Sequence, residues 1–196
     1  MLKRKATKDI KKWVESKDRK CLVVQGARQT GKTYIIERFA EENYEEYVEI
    51  NFKQMPSARD IFSGDLTVAN MVMAMRFRFP EKKIAPGKTM IFLDEIQECQ
   101  EALTSLKFWA LDNRFDVIAS GSLLGIDYKR ASSYPVGYLD YLKMDGLDFE
   151  EFLWGMGITE DMIETLRGYL ESRTAIPEAI HSQMMAYYRQ YVAIGG

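Results

Sequence analysis

Residues 21–40 read CLVVQGARQTGKTYIIERFA: a short apolar run, a loop of small and polar residues, and a segment of mixed character. The run CLVVQ is continuously apolar and ends at a glycine, which predicts a strand buried on both faces of a parallel sheet. Residues 32–42 place Ile35, Ile36, Phe39 and Ala40 on one side, which predicts an amphipathic helix. The stretch therefore predicts a strand, a loop and a helix in direct succession.

The loop between this strand and this helix matches the phosphate-binding pattern GxxxxGK[ST], also called Walker A. The glycines let successive backbone N–H groups point inward, and the helix N-terminus adds a partial positive charge at the same place. Lys32 would reach the β- and γ-phosphates, and the Thr33 hydroxyl is placed to ligate Mg²⁺. We predict nucleotide binding by Gly26, Ala27, Arg28, Gln29, Thr30, Gly31, Lys32, Thr33 and Tyr34.

The triplet GKT recurs at residues 87–89. This second copy has no glycine five positions before its own, follows Pro86, and opens a strand-like run rather than a helix. We therefore interpret it as a turn.

A second apolar run, MIFLDE at residues 90–95, ends in two carboxylates, as a Walker B strand does. We predict that Asp94 holds the Mg²⁺ shell, because a phosphate loop needs an acid on the metal side. Glu95 could orient or deprotonate a water that attacks the γ-phosphate, which favours hydrolysis. Lys32 and Glu95 are thus the main catalytic candidates.

A third apolar run, FDVIASG, leads to Ser120 and Ser122, either of which could sense the γ-phosphate and position the water. The sequence does not choose between the two serines. Arg28, Arg114 and Arg130 could each meet phosphate or pair with a surface acid. The NKxD stretch that reads guanine is not found, so the expected nucleotide is ATP.

Strand and helix patterns alternate along the chain, which predicts an α/β fold: a three-layer parallel sheet of the P-loop NTPase type with a C-terminal helical annex. We expect an ATPase core at residues 1–156 and the annex at 157–196, with the natural chain continuing beyond residue 196. Asp148 and Glu151 predict a capping box at the start of a helix. Residues 56–65 are predicted to be loop, and the expected elements are a leading helix at 6–17, strands at 47–52, 115–121 and 141–147, and helices at 68–79, 101–110, 159–173 and 177–192.

The composition is that of an ordinary soluble globular protein, with 46% hydrophobic and 29% charged residues and a formal net charge of −2. Because this net charge gives no overall basic field, nucleic acid is not expected as a default partner. Cys21 and Cys99 cannot form a multi-bridge framework, and we find neither a signal peptide nor an apolar run that could span a bilayer. We expect a cytoplasmic protein without a membrane partner, in which His181, the only histidine, has a surface or packing role.

The segments GARQTGKT, IFLDEIQEC and VIASGSLLG, followed by SYPVGYLDYLKMDGLDFEEFLW, together resemble one family. It is the group of predicted bacterial and archaeal ATPases of the AAA+ superfamily, AAA_14 type, whose ATPase domain usually precedes a DUF4143 domain. The resemblance implies nucleotide and magnesium roles for Lys32 and Thr33, acid and base roles for Asp94 and Glu95, and a sensor role for Ser120 or Ser122. Many relatives carry an arginine after the glycine at the position of Gly137, where this chain has Tyr138.

These observations predict a Mg²⁺-dependent ATPase domain that couples nucleotide state to movement of its helical annex or of an attached domain. One alternative is a nucleotide-binding switch that does not hydrolyse ATP without a further domain or partner. A small-molecule kinase is a third reading, disfavoured by the adjacent Asp94 and Glu95. DNA or protein partners are expected only through a domain beyond this chain, and oligomerisation is left open.

Overall fold

The computed structural model describes residues 3–122, 135 and 137–194. The chain divides into two compact units, residues 8–144 and residues 1–7 with 145–196. This division falls twelve residues earlier than the predicted boundary at 156, and the predicted domain limits stay a prediction.

The larger unit contains a parallel sheet of five strands in the order β2-β3-β4-β1-β5. β1, β3 and most of β4 are buried throughout, as their continuously apolar sequences predict. The predicted fold class is confirmed. The strands are β1 (Cys21–Gly26), β2 (Glu46–Asn51), β3 (Thr89–Asp94), β4 (Asp116–Ser122) and β5 (Leu139–Lys143).

Seven α-helices are found among the described residues, and their bounds follow the predicted ones to within a few positions. The helix α2 packs its buried residues Ile35, Ile36, Phe39 and Ala40 inward, as expected from their spacing. The helices are α1 (Lys5–Glu15), α2 (Lys32–Asn43), α3 (Val68–Arg78), α4 (Gln100–Asp112), α5 (Phe149–Gly155), α6 (Glu160–Glu171) and α7 (Glu178–Ile194).

Two local predictions need correction. The segment expected to be loop at 56–65 contains a 3₁₀ helix, Pro56–Phe62, because Ala58, Ile61 and Phe62 share one side and bury it. Phe62 packs edge-on against Phe52 with ring centroids 5.5 Å apart. The fifth strand lies at Leu139–Lys143, earlier than the predicted 141–147, since the main chain pairs with β1 from Leu139 onward.

The smaller unit is helical among its described residues. Its α5 begins with the predicted capping box: the Asp148 carboxylate accepts from the Glu151 N–H, and the Glu151 carboxylate accepts from the Asp148 N–H. Phe149 and Phe152 of α5 meet Tyr191 of α7 with ring centroids 5.5 and 5.6 Å apart. This aromatic cluster attaches α7, which has no fully buried residue, to α5.

Candidate functional site

The loop between β1 and α2 has the backbone that its glycines predict. Gly31, just before α2, has φ 84°, a left-handed conformation in which a side chain would be strained, and Gln29 has φ 64°. Gly31 has no side chain to cap the helix, so the first N–H groups of α2 are accessible to an anion. The loop therefore has the geometry of a phosphate cradle.

Gly26 is needed for a different reason, the close approach of a neighbouring strand. A Cβ built on Gly26 would lie 2.1 Å from the carbonyl oxygen of Met144, which directly follows β5. The Met144 N–H donates to the Gln25 carbonyl at 2.7 Å, which holds the two segments together. The first glycine of the loop thus lets β5 pack against the end of β1.

The Lys32 ammonium lies inside the loop. It donates to the carbonyl oxygens of Ala27 and Gly26 at 2.6 and 3.1 Å. Burial lowers the pKa of Lys32, while the charges of Glu95 and Asp94 act in the opposite direction. The ammonium is therefore held where phosphate oxygens would meet the loop.

The Asp94 carboxylate, at the end of β3, is the centre of the polar network. It is only 4% exposed and accepts hydrogen bonds on both oxygens. Oδ2 accepts from the Asn51 amide at 2.7 Å and from the Thr33 hydroxyl at 3.2 Å. Oδ1 accepts from the Ser120 hydroxyl and from the Glu95 N–H, the latter at 3.0 Å. Side chains from α2 and three neighbouring strands thus meet at one carboxylate.

Glu95 leaves the strand in an unusual conformation. Its φ of 51° is left-handed and turns the chain out of β3 into a 3₁₀ helix, Ile96–Glu98. One of its carboxylate oxygens accepts from the side-chain amide of Gln97. The carbonyl oxygen of that amide is buried without a hydrogen-bond partner among the described residues. Gln97 therefore holds the Glu95 carboxylate where the chain turns out of β3.

The two candidate serines differ in position. Ser120 is fully buried and bonded to Asp94, whereas Ser122 ends β4 at the register position opposite Gly26. Of these two serines, only Ser120 joins the hydrogen-bond network around Asp94 among the described contacts.

The other predicted residues lie around this network or away from it. Arg28 is exposed in the loop, and Tyr34 is 54% exposed on α2. Arg114 pairs with Asp112 at 2.7 Å, at the opposite end of the sheet. His181 is exposed on α7, and Arg130 lies outside the described residues.

The second GKT is a turn, as predicted. Gly87 has φ 70°, Thr89 opens β3, and the Lys88 ammonium pairs with Glu45 at 2.7 Å on the surface. The Gly87 N–H donates to the Arg114 carbonyl, which ties the turn to the start of β4. No helix follows it, so it cannot present N–H groups to a phosphate.

Sequence reasoning missed two residues of this site, Asn51 and Gln97. The strand EYVEIN alternates in polarity and ends at the polar residue Asn51. Because the carboxyl ends of parallel strands meet at one edge of the sheet, this position could have indicated Asn51 as a site residue. Gln97 follows Glu95 by two positions, but only the left-handed turn at Glu95 brings the two side chains together.

The Thr33 hydroxyl and the Asp94 carboxylate fit Mg²⁺, which prefers hard oxygen ligands. Within the described ranges there is no group of three or more His, Cys, Asp or Glu side chains that could hold a metal. A magnesium ion here would need phosphate oxygens and water as its other ligands, as is usual for this cation. None of the described helices is long and apolar enough to cross a bilayer.

This parallel sheet, with a phosphate-cradle loop after β1 and a carboxylate at the end of β3, defines a P-loop NTPase fold of the AAA+ type. The AAA domain family AAA_14 matches residues 18–153, and the chain belongs to that family of nucleotide-binding domains. No curated protein sequence matches the chain significantly.

Two solved structures align with this chain, and the first of them shares its fold. Drosophila ORC bound to DNA aligns with 13% identity and a TM-score of 0.53 over 84% of this chain and 47% of that one. The Aeropyrum pernix ORC1 protein in complex with DNA aligns with 14% identity and a TM-score of 0.45 over 83% of this chain and 47% of that one. The chain spans about half the length of each.

Proposed function

We propose that the chain binds ATP with Mg²⁺ and hydrolyses it to ADP and phosphate. The observation that carries this proposal is the convergence of Thr33, Asn51 and Ser120 on the Asp94 carboxylate, with Glu95 next to it. Asp94 and Thr33 would hold the metal, whose chemistry is to neutralise charge on the β- and γ-phosphates. The other steps, binding the phosphates and activating the water, would be carried out by side chains of this chain.

Lys32 would exchange the carbonyls of Gly26 and Ala27 for oxygens of the β- and γ-phosphates. Glu95 would accept a proton from the attacking water as its oxygen bonds to the γ-phosphorus and the bond to ADP breaks. Asn51 and Ser120 keep the Asp94 carboxylate in one orientation, because each donates to a different oxygen. Gln97 supports Glu95 in the same way.

The proposal is tested by measuring Mg-ATP binding and phosphate release with three variants. Lys32→Ala should lose ATP affinity by about tenfold or more, since hydrogen bonds to charged groups contribute about 1.5–3 kcal/mol. Glu95→Gln should bind ATP and lower turnover by a factor of about 10² or more, because general-base catalysis contributes about that much. Lys88→Ala, in the second GKT, is the matched control and should behave as wild type.

The outcomes separate the competing readings. Binding without phosphate release by the wild type would favour a nucleotide switch that requires another domain or partner. Loss of binding in Lys88→Ala to the same degree as in Lys32→Ala would overturn the assignment of the phosphate loop. Transfer of phosphate to a small molecule rather than to water would indicate a kinase.

We also propose that residues 1–156 act as the ATPase core and residues 157–196 as an annex that responds to nucleotide state. The helical character of α6 and α7 supports this division. A DUF4143 domain beyond this chain, and DNA or protein partners bound through it, remain predictions. Salt-dependent binding of the chain itself to duplex DNA would contradict the view that such contacts lie elsewhere.

A further inference from the structure

Helix α3 carries apolar residues on two sides, and only one side is covered. Its buried apolar residues pack against the core of the larger unit. Met73 and Phe77 lie one turn apart on another side of the helix and are 60% and 81% exposed. A helix that is apolar on two sides is expected to be packed on both.

Met73 and Phe77 form one wall of a groove, which we call the α3 groove. Its opposite wall contains Pro86, Arg114 and Phe115, and its volume is about 490 Å³. A small-molecule pocket encloses roughly 70–90% of its ligand's surface. Walls as exposed as these cannot do so, and the groove therefore fits one side of a larger partner.

The composition of the α3 groove is that of a protein interface. The described residues that line it include two phenylalanines, a methionine and two arginines, and none of them is lysine, aspartate or glutamate. Aromatic residues, methionine and arginine are enriched at the centres of protein interfaces, whereas lysine and the acidic residues are depleted there. The groove therefore resembles an interface rather than a solvated surface.

One positive charge in the α3 groove has no carboxylate beside it. Among the described residues, the Arg76 guanidinium has one hydrogen-bond partner, the Ile84 carbonyl at 2.6 Å, which holds the side chain without neutralising it. Arg114, by contrast, donates two hydrogen bonds to the Asp112 carboxylate, at 2.7 and 2.8 Å. An arginine has five N–H donors, so Arg76 can still bind a carboxylate of an occupant.

The neighbouring basic residues do not form a track for nucleic acid. Two of the four basic residues in 77–88, Lys82 and Lys88, pair with Glu46 and Glu45 at 2.9 and 2.7 Å. Binding a nucleic acid strand requires several Lys or Arg side chains that are free to neutralise phosphates. A single uncompensated guanidinium within an apolar groove instead favours a protein segment that is apolar on one side and acidic beside it.

The shape of the α3 groove favours a helix over an extended segment. An extended segment binds by adding a strand to a free sheet edge. The opposite wall of the groove precedes β3 and β4, and both of these strands have neighbours on either side. The α3 wall runs from Ala69 to Phe77, which is about 12 Å at the helical rise, or roughly two helical turns.

We propose that the α3 groove binds an acidic amphipathic helix of another protein. Apolar side chains at i, i+3 or i+4, and i+7 of that helix cover Met73 and Phe77, and a carboxylate beside them pairs with Arg76. The groove lies at the starts of β3 and β4, whereas Asp94 lies at the end of β3. The partner therefore leaves the phosphate loop open, and its binding does not depend on ATP hydrolysis.

The test measures fluorescence anisotropy of labelled synthetic peptides with the whole chain. Each peptide has about 18 residues, enough to form a helix, with leucines at i, i+3, i+4 and i+7. The flanking residues are glutamate in the first peptide, glutamine in the second and lysine in the third. The glutamate peptide should bind at least about tenfold more tightly than the glutamine peptide, the lysine peptide should bind most weakly, and salt should reduce the difference.

Four variants locate the binding, and circular dichroism melting checks that each is folded. Phe77→Asp should weaken the glutamate peptide at least about tenfold. Leu170→Asp is its matched control, since Leu170 is 78% exposed and does not line the groove. Arg76→Gln should weaken the glutamate peptide about tenfold and leave the glutamine peptide unchanged. Arg78→Gln, whose arginine bonds to Ser57 outside the groove, should behave as wild type.

Four results would overturn the proposal. A glutamate peptide that does not bind at about 1 mM would exclude this kind of partner. Equal affinity for all three peptides would exclude the charge match at Arg76. Unchanged affinity in Phe77→Asp would place the binding outside the groove. A single-stranded oligonucleotide that binds more tightly than the glutamate peptide, and loses its affinity in Phe77→Asp, would assign the groove to nucleic acid.

Discussion

Ser120 and Ser122 lie two positions apart on β4, yet the structure gives them different surroundings. Ser120 is buried and donates to Asp94, while Ser122 lies beside Gly26 at the loop. Asp94 also accepts from Asn51, so it depends on donors from strands on either side of β3. We propose that Ser120 orients this carboxylate rather than contacting phosphate directly.

Ser120→Ala should lower phosphate release by about tenfold or more, because a hydrogen bond to a charged group contributes about 1.5–3 kcal/mol. Ser122→Ala is the matched control, with the same chemical change two residues away, and should stay within about twofold of wild type. Steady-state turnover and ATP affinity are measured together for both. A larger loss in Ser122→Ala would contradict this role for Ser120 and favour Ser122 as the γ-phosphate sensor.

At the scale of elements, the phosphate loop depends on how closely two strands approach. The Met144 carbonyl occupies the space where a side chain of residue 26 would stand. The chain can therefore pass from β1 into the loop only with glycine at this position. The helix α6 shows the opposite case, since a Cβ on Gly168 would meet no atom within 4 Å.

Gly26→Ala should reduce the free energy of unfolding by at least about 2 kcal/mol, because a methyl group forced against backbone cannot be relieved by a rotamer change. Gly168→Ala should raise it by about 0.5–1 kcal/mol, since alanine is the better helix former. Both are read from urea unfolding followed by circular dichroism. Equal stability of Gly26→Ala and wild type would show that β5 moves away at little cost.

At the scale of the whole molecule, one carboxyl pair makes stability depend on pH. Burial, reinforced by the hydrogen-bonded carboxyl of Glu37 and by the charges of Glu37 and Asp94, raises the pKa of Glu49 to about 7. Lys82 opposes this rise. In the unfolded chain Glu49 has an ordinary, lower pKa, so the unfolded state releases the proton first as pH rises.

Between about pH 5 and pH 8 the wild type should therefore lose about 1 kcal/mol of stability relative to Glu49→Gln, a value reduced by solvent screening of this half-buried group. Below about pH 5 the stabilities of the wild type and Glu49→Gln should change with pH in a similar way. Glu49 is then protonated in the folded state and increasingly protonated in the unfolded state. Chemical denaturation across this range measures the difference. Glu45→Gln, on an exposed carboxylate, should follow the wild-type pH dependence; if Glu49→Gln does so too, the raised pKa of Glu49 is contradicted.

The sequence by itself determined the order of strands and helices, the phosphate loop, the acid pair at 94–95 and the capping box at Asp148. These features depend on residues close together in the chain: apolar periodicity, glycine conformations and side-chain bonds across one helical turn. The turn at the second GKT could be predicted for the same reason, since it needed only its immediate neighbours.

Tertiary structure alone decided which polar side chains meet. Asn51 reaches Asp94 across 43 positions and Ser120 across 26, and both contacts depend on the order and register of parallel strands. The 3₁₀ helix at Pro56–Phe62 was likewise not predicted, because packing between distant segments determines which apolar residues are covered. Local patterns specify elements, whereas strand pairing and side-chain packing bring those elements into a site.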